Sequence, residues 1–230
     1  MRIRTRPRLV AALVAAGLAI APAAAGAATF TNGGAINTND STDGTPYPSA
    51  IVVSGQSGTV TDVNVRLNSF THPRPFDVGI VLVGPGGEAL QLMDAVTDFG
   101  PPGQPASNLV ITIDDEAPTQ MPFLPPLAST SYRPTNYVVS DFFPPPGPGL
   151  AYGNPGPAGG GTQTLSSIFD GTSPNGTWSL FVRDFVSANT GQIAGGWSLV
   201  FPDAPASSAA KKKKCKKGYK RVKGKCRKKK

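Results

Sequence analysis

The sequence predicts an all-β protein, folded as a sandwich or a barrel. Apolar residues alternate with period two in several short segments, as they do in strands that have one buried face. Glycine and proline, with 27 and 24 residues among 230, separate these segments at short intervals. No long segment repeats its apolar residues with the 3.6-residue period of a helix. Together these features are typical of an all-β domain with many turns.

The clearest strands lie in residues 175–201, which predict two strands joined by a Gly-rich connection. The side chains that share the apolar faces of these strands, and that we expect in the structural core, are Trp178, Leu180, Val182, Trp197, Leu199 and Phe201. Because two isolated strands are marginally stable in water, we expect both to close onto a sheet built by the earlier chain.

Five earlier segments are predicted as strands. In order, they are Ile51–Val53, Thr59–Leu67, Asp77–Val83, Glu88–Met93 and Leu109–Ile113. The Gly-Pro-Gly-Gly sequence at 84–87 favours a tight turn, so residues 77–93 are predicted to form a hairpin. Asp77–Val83 is apolar on both faces, which indicates that both faces are covered. Ala28–Pro48 is polar and predicts a loose lead-in with a short strand at Thr29–Thr31.

Residues 117–161 contain eleven prolines, and we call them the Pro-rich segment. Proline lacks a backbone donor, so this segment can supply little central strand, although Tyr137–Val139 is predicted as a short edge strand. A loop of this length within one domain usually wraps the surface or binds a ligand. A short apolar segment, Leu165–Phe169, then leads into the two Trp-bearing strands.

The termini predict processing and a separate tail. Residues 1–27 combine four arginines, an apolar stretch and an Ala-Gly-Ala cleavage site, which is the layout of a secretory signal peptide; an uncleaved membrane anchor is the alternative. We therefore expect a secreted protein. The predicted divisions are the signal peptide (1–27), a lead-in (28–46), a β-sandwich domain (47–201), a linker (202–210) and a basic tail (211–230).

Charge divides sharply along the chain. Residues 28–210 contain all fourteen Asp and Glu but four arginines, a formal charge of −10. Residues 211–230 contain twelve Lys, two Arg and no acidic residue, a formal charge of +14. The positive net charge of the whole sequence thus comes from the tail, which is attached to an acidic body.

Several short motifs, taken in order, resemble those of one protein family. They are Tyr47–Gly55 before Val63–Val65, Thr71-His72, Asp77–Leu82, Pro85-x-Gly87, Asp114-Asp115, Tyr132–Pro134, Asn175–Leu180, Val182-x-Asp184 and Gly195–Leu199. In this order they are similar to the P domain (P/Homo B domain) of kexin-like proprotein convertases and of bacterial secreted subtilisin-like proteases. The resemblance implies a jelly-roll-like β-sandwich of about eight strands, which in that family lies beside a protease domain and stabilises it.

The resemblance implies a link to serine endopeptidases but does not assign catalysis to this chain. A subtilisin-like enzyme needs Asp, His and Ser together. His72 is the one histidine, and we interpret it as a turn residue that hydrogen-bonds to the backbone. Gly171-Thr172-Ser173 resembles the nucleophile tripeptide of subtilisins but lies outside any catalytic domain. We therefore predict no catalytic residue.

Acidic residues at strand ends and in loops suggest a calcium hypothesis. Ca²⁺ prefers six to eight oxygen ligands, often from such loops. The candidate ligands are Asp77, Asp114, Asp115 and Asp184, with Glu116 beside them. The alternative is that these are turn-forming and solvated carboxylates, and no other cofactor motif is present.

The tail predicts a disulfide and a polyanion-binding segment. Cys215 and Cys226 are the two cysteines of the chain, and in an exported protein we expect them to pair. The cationic residues are Lys211, Lys212, Lys213, Lys214, Lys216, Lys217, Lys220, Arg221, Lys223, Lys225, Arg227, Lys228, Lys229 and Lys230. Their expected partners are anionic cell-envelope polymers or acidic lipids, because export argues against nucleic acid. The alternative is a tail that only increases solubility.

Three functions are compatible with the sequence. The first is a non-catalytic binding or accessory module that the basic tail holds at the cell envelope. The second is an accessory or stabilising partner of a separately encoded subtilisin-like protease. The third, which the single histidine and the missing triad disfavour, is an enzyme in its own right.

Overall fold

The computed structural model describes residues 27–97, 104–124, 126–139, 141–202, 219–222 and 225–228. The predicted all-β class is confirmed, because the body consists of two curled sheets. The strands are β1 (Ala28–Asn32), β2 (Ile36–Thr38), β3 (Ser49–Val53), β4 (Asn64–His72), β5 (Val78–Val83), β6 (Ala89–Asp94), β7 (Ala106–Ile113), β8 (Ser131–Tyr132), β9 (Thr135–Asn136), β10 (Gly176–Asp184), β11 (Gly191–Ile193) and β12 (Trp197–Phe201). A helix, α1, spans Leu165–Phe169.

The first sheet is centred on the long strand β4. On one edge of β4, β12 pairs with its first half and β11 with its second half, and β1 and β2 extend the sheet beyond them. On the other edge, β7 pairs with β4 and β8 pairs with β7. The second sheet has the order β3-β10-β5-β6-β9.

The core lies between the two sheets and contains the predicted Trp-bearing faces. Trp178, Leu180, Trp197 and Leu199 are each 0% exposed and belong to one hydrophobic cluster. The indole N–H of Trp197 donates to Ser49 Oγ at 3.0 Å, so burial leaves this polar atom satisfied. The period-two patterns therefore identified the buried faces correctly.

The hairpin prediction for residues 77–93 is also confirmed. Strands β5 and β6 pair antiparallel, and the Gly84 N–H donates to the Glu88 carbonyl at 2.8 Å across the turn. Both faces of β5 are covered, as its sequence predicts. Ile80 and Leu82 face the main core, whereas Val81 belongs to a second cluster with Ala89, Phe143 and Phe181.

Other predictions need correction. The resemblance implied about eight strands, and the described body has twelve, because several short edge strands carry too few residues to show a period. The lead-in is ordered: β1 pairs with β12 and β2 pairs with β11. Residues 137–139 form bends rather than an edge strand. Leu165–Phe169, for which the sequence predicted no secondary structure, is a short helix, and Thr164 and Ser167 form a capping box at its start.

Part of the sequence prediction lies outside the described residues. This part includes nearly all of the signal peptide and linker, and Cys215 with its predicted disulfide. In the tail, the described backbone forms two antiparallel strands, β13 (Tyr219–Val222) and β14 (Lys225–Lys228). They contain Lys220, Arg221, Lys225, Arg227 and Lys228; the other tail cations are outside the described residues.

None of the helices in the described ranges has both the length and the apolar character that crossing a membrane requires.

Candidate functional site

His72 is a buried residue at the end of β4 rather than a turn residue. Its Nδ1 lies 2.8 Å from the Arg74 carbonyl oxygen, so the expected backbone hydrogen bond is present. Its Nε2 lies 3.2 Å from Asp184 Oδ2, and both side chains are 0% exposed. Asp184, the last residue of β10, also accepts a hydrogen bond from the Val186 N–H. β4 and β10 belong to different sheets, so this contact crosses between the two sheets and brings together two residues that are 112 positions apart.

Asp77 completes this buried cluster. One ligand atom from each of His72, Asp77 and Asp184 lies within 4.8 Å of the others, so the three could enclose a metal ion. Asp77 Oδ2 accepts from Asn189 Nδ2 at 2.9 Å, and Arg74 Nη1 lies 3.1 Å from Asp77 Oδ1 as an ion pair. Burial raises the pKa of Asp77, and the Arg74 and His72 charges and the Asn189 hydrogen bond act in the opposite direction.

The composition of this cluster favours an ion-pair network over a calcium site. An imidazole and two carboxylates are ligands that suit Zn²⁺ better than Ca²⁺, which prefers oxygen. The Arg74 guanidinium already supplies a positive charge at Asp77. Because a buried ion pair holds its partners in one geometry, the network joins the ends of β4 and β10 to the start of β5.

Asp114 and Asp115 do not join Asp77 and Asp184. Ile113 pairs with Val65 near the start of β4, whereas His72 ends that strand. At about 3.3 Å per residue, these positions are roughly 20 Å apart. Asp115 instead accepts hydrogen bonds from the backbone N–H groups of Leu165 and Ser166, at 3.0 and 2.8 Å. The four predicted ligands therefore do not form one calcium site.

Ser173 also lies far from His72. It precedes β10, and its hydroxyl donates to the Asn175 carbonyl within a turn at 3.3 Å. His72 contacts the opposite end of the same strand, through Asp184. A nine-residue strand is roughly 26 Å long, so these two residues do not form a Ser–His pair.

The Pro-rich segment exposes a group of apolar side chains that were not predicted from the sequence. Seven large apolar side chains are exposed in the described residues, and six of them come from this segment. These six, which we call the apolar surface, are Phe123, Leu124, Val138, Val139, Phe142 and Leu150. The seventh, Val52 on β3, is separate in sequence.

Ring contacts, neighbouring positions and a shared cavity link several members of the apolar surface. The Phe123 ring packs on Tyr137, with centroids 4.9 Å apart, and Val138 and Val139 follow Tyr137 directly. Val139 and Leu150 line one cavity of about 210 Å³. The remaining lining residues are Asn136, Tyr152 and Asn154. Two members of the apolar surface therefore line a small cavity together with one aromatic and two amide side chains.

Hydrogen bonds position the amide side of the cavity. Asn136 Nδ2 donates to Gln91 Oε1 at 2.5 Å and to Asn154 Oδ1 at 3.2 Å, and Asn136 Oδ1 accepts from the Val138 N–H at 2.8 Å. These contacts anchor the irregular segment to β6, so its exposed side chains stand on a fixed base.

A pair of carboxyl groups lies beside this cavity. Asp94, at the end of β6, is 2% exposed, and the Asp141 side chain lies within hydrogen-bonding reach of it. Burial, together with Asp141, raises the pKa of Asp94 to about 10, although the Gln91 amide acts in the opposite direction. The Tyr152 hydroxyl donates to the Asp141 carbonyl at 2.6 Å. The sequence predicted neither the approach of these two carboxyl groups nor any role for Asp141.

Comparisons with known proteins give a limited likeness. No protein-family model matches the chain, and no curated protein matches it. Among solved structures, the complex of the Aeromonas sobria serine protease (ASP) with its chaperone (ORF2) matches with a TM-score of 0.36 and 15% identity. The A. sobria serine protease determined without the chaperone matches with a TM-score of 0.33 and 15% identity.

Each of these two alignments covers 76% of this chain and 26% of the matched chain. This chain therefore spans about a quarter of the length of the proteins that it matches. A likeness of this degree carries no activity or partner over to the present chain.

Proposed function

We propose that this protein is a secreted, non-catalytic β-sandwich module of the P/Homo B type. In this proposal it binds a separately encoded subtilisin-like serine protease through the apolar surface of its Pro-rich segment and stabilises it. The observation that carries the proposal is the concentration of six of the seven exposed large apolar side chains of the described residues on this segment. Exposed apolar side chains that are concentrated in one segment are a feature of protein interaction sites.

The class of partner is inferred from the resemblance of the sequence motifs to P domains, which pack against a subtilisin-type domain. The wide separation of Ser173 from His72 supports a binding role over catalysis by these residues. The amide-lined cavity supplies polar groups next to apolar ones, and such a mixture can orient a docked partner.

A matched pair of variants tests this function. The first, Val139→Ser/Phe142→Ser/Leu150→Ser, makes the apolar surface polar, and the second, Val52→Ser, changes an exposed valine elsewhere. Each protein is immobilised and exposed to the secreted proteins of the same organism, and serine proteases are detected with an active-site-directed fluorophosphonate. We expect the wild type and Val52→Ser to retain a labelled subtilisin-like protease and the triple variant to lose it.

Two results would contradict the proposal. One is equal retention of the protease by the triple variant, provided that circular dichroism shows an unchanged fold. The other is hydrolysis of casein by the pure protein, with loss of that activity in Ser173→Ala.

The basic tail supplies a second component of the proposal, attachment to the cell envelope. Fourteen cationic residues among the last twenty should bind anionic polymers in a salt-sensitive way. The full chain and a form that ends at Ala210 are compared for binding to purified envelopes at low salt. Equal binding by the two forms would contradict attachment through the tail and would favour a tail that only increases solubility.

A further inference from the structure

Both ring nitrogens of His72 face oxygen atoms in the protein interior. Nδ1 lies 2.8 Å from the Arg74 carbonyl oxygen and 3.2 Å from the Arg74 nitrogen, and Nε2 lies 3.2 Å from Asp184 Oδ2. Because the carbonyl is the nearer partner of Nδ1, we assign a proton to that nitrogen. This tautomer leaves the lone pair on Nε2, as in many histidines that bind a metal. A lone pair that faces a carboxylate oxygen requires a proton or a metal ion between the two atoms.

The distance between Nε2 and Asp184 Oδ2 suits a shared metal ion. A charge-assisted N–H···O bond is about 2.7–2.9 Å long. Two ligands that are held about 2.0–2.1 Å from Zn²⁺ in a tetrahedron lie roughly 3.3 Å apart. The observed 3.2 Å is closer to the second value. A carboxylate oxygen of Asp77 lies within 4.8 Å of both atoms, so three ligand atoms surround one buried point.

Hydrogen bonds hold the outer oxygens of both carboxylates. Asp184 Oδ1 accepts from the Val186 N–H at 2.9 Å, and Asp77 Oδ2 accepts from Asn189 Nδ2 at 2.9 Å. Asp77 Oδ1 is buried and accepts no hydrogen bond from the described residues, although Arg74 Nη1 lies 3.1 Å away as an ion pair. In known metal sites, contacts of this kind orient the ligands from outside.

The charge of the cluster also favours a cation. When His72 is neutral, the two carboxylates and the Arg74 guanidinium leave a formal charge of −1. The side chains of His72, Asp77 and Asp184 are each 0% exposed, so bulk water does not solvate this charge. Uncompensated charge in a protein interior is costly, and imidazole and carboxylate groups are ordinary ligands of Zn²⁺.

We propose that His72, Asp77 and Asp184 bind a Zn²⁺ ion, with a water molecule as the fourth ligand. The ion replaces the proton between Nε2 and Oδ2, which is released to solvent, so the ion-pair network described above is the metal-free state of the same residues. The ion joins the ends of β4 and β10, which lie in different sheets, to the turn before β5. The inference concerns the metal alone and does not depend on the proposed protease partner.

Metal analysis of the full chain tests the proposal. The protein is prepared without a histidine tag and with Cys215→Ser/Cys226→Ser, so that neither a tag nor a tail thiolate binds zinc. Because the site is closed in the folded state, zinc is supplied both during expression and to the purified protein, and the zinc content and Tm are compared with those after treatment with chelator. We expect one zinc ion per chain and a Tm several degrees higher, since an ion that binds only the folded state stabilises it. Absence of retained zinc in both preparations would overturn the proposal.

The imidazole of His72 reports the metal directly, because the chain contains one histidine. Long-range ¹H–¹⁵N spectra of the untagged protein resolve its two ring nitrogens. We expect zinc to shift the Nε2 resonance while Nδ1 stays protonated. Two protonated ring nitrogens that do not respond to zinc would identify a permanent ion pair and contradict the proposal.

Three variants assign the ion to this cluster. Asp77→Asn removes a ligand, and we expect it to abolish zinc binding. Asn189→Ala removes the hydrogen bond to Asp77 from a half-buried position and should weaken zinc binding about 10- to 100-fold. Asp170→Asn, which removes an exposed carboxylate beyond α1, should bind zinc like the wild type. Unchanged zinc affinity in Asn189→Ala, or in folded Asp77→Asn, would place the ion elsewhere and refute the assignment.

Discussion

The indole ring of Trp178 packs edge to face against the Phe201 ring, with centroids 5.9 Å apart, across the space between the two sheets. Trp178 belongs to β10 in one sheet and Phe201 ends β12 in the other. Phe201 also contacts Phe30 of β1, with centroids 6.0 Å apart. The contact therefore joins the layers near the point where the described body ends, at Pro202.

Phe201→Ala is expected to destabilise the body by about 3 kcal/mol, because it removes a buried ring and leaves a cavity beside Trp178. Val52→Ala is a suitable control, since Val52 is 70% exposed, and it should change the free energy of unfolding by no more than about 0.5 kcal/mol. Urea unfolding monitored by tryptophan fluorescence measures the free energy of unfolding of both variants. Similar losses in the two variants would contradict the assigned packing.

His72 and Asp184 are predicted to be energetically coupled. Replacing His72 with Ala leaves the Asp184 carboxylate buried without its partner, so we expect a loss of roughly 3 kcal/mol or more. In a double-mutant cycle with Asp184→Asn, the interaction energy should be about 1–3 kcal/mol. If the two single effects simply add, the two side chains do not interact as their 3.2 Å contact indicates.

Acidic groups around the start of β4 and the end of β7 should make stability depend on pH and salt. Burial raises the pKa of Asp62 and Asp170. A hydrogen bond that the protonated Glu116 side chain donates to Asp114 raises the pKa of Glu116, and neighbouring carboxylates act in the same direction. A raised folded-state pKa means that the folded protein holds these protons more tightly. The contribution of these groups to the stability of the folded protein is therefore fully present below the ordinary carboxyl pKa of about 4. It is lost as the pH rises through their folded-state pKa values.

The Tm of the body, measured as a function of pH, tests whether stability falls as the pH rises. Asp62→Asn should reduce the decline above about pH 4, and added salt should reduce it as well, because salt screens repulsion between exposed charges. Val52→Ser, which changes an exposed residue without a charge, should leave the pH profile unchanged. A steeper decline in Asp62→Asn would refute the prediction.

Glycine at position 79 is required by close packing on the outer face of β5. A Cβ there would lie 2.6 Å from Phe185 and 3.2 Å from Phe143. Gly79→Ala should therefore displace these rings and destabilise the protein by about 1–3 kcal/mol. At Gly33 a Cβ would meet no atom within 4 Å, so Gly33→Ala should be nearly neutral in the same unfolding assay.

Much of the fold was predictable because strand periodicity and turn chemistry are local properties. The buried faces of residues 178–182 and 197–201 followed from alternation, and the hairpin at 77–93 followed from its Gly-Pro-Gly-Gly turn. Alternation specifies which face is buried but not which strand is the neighbour. For this reason the sequence did not reveal that β10 and β12 lie in different sheets.

The candidate sites depend on contacts between distant residues. His72, Asp77 and Asp184 come together because the ends of β4 and β10 and the turn before β5 meet across the two sheets, an arrangement that no short motif contains. Asp115 looked like a metal ligand, whereas its role as a cap for α1 depends on a helix fifty residues later. Irregular Pro-rich backbone has no period, so neither the apolar surface nor the Asp94–Asp141 pair could be predicted from it.

The central claim is that the apolar surface is a docking site for a protease. The most direct measurement is the Kd between the captured protease and three purified proteins, namely the wild type, Val52→Ser and Val139→Ser/Phe142→Ser/Leu150→Ser. We predict binding at least about tenfold weaker for the triple variant, equivalent to about 1.4 kcal/mol, and an unchanged Kd for Val52→Ser. Equal Kd values for all three proteins would show that this surface does not contact the partner.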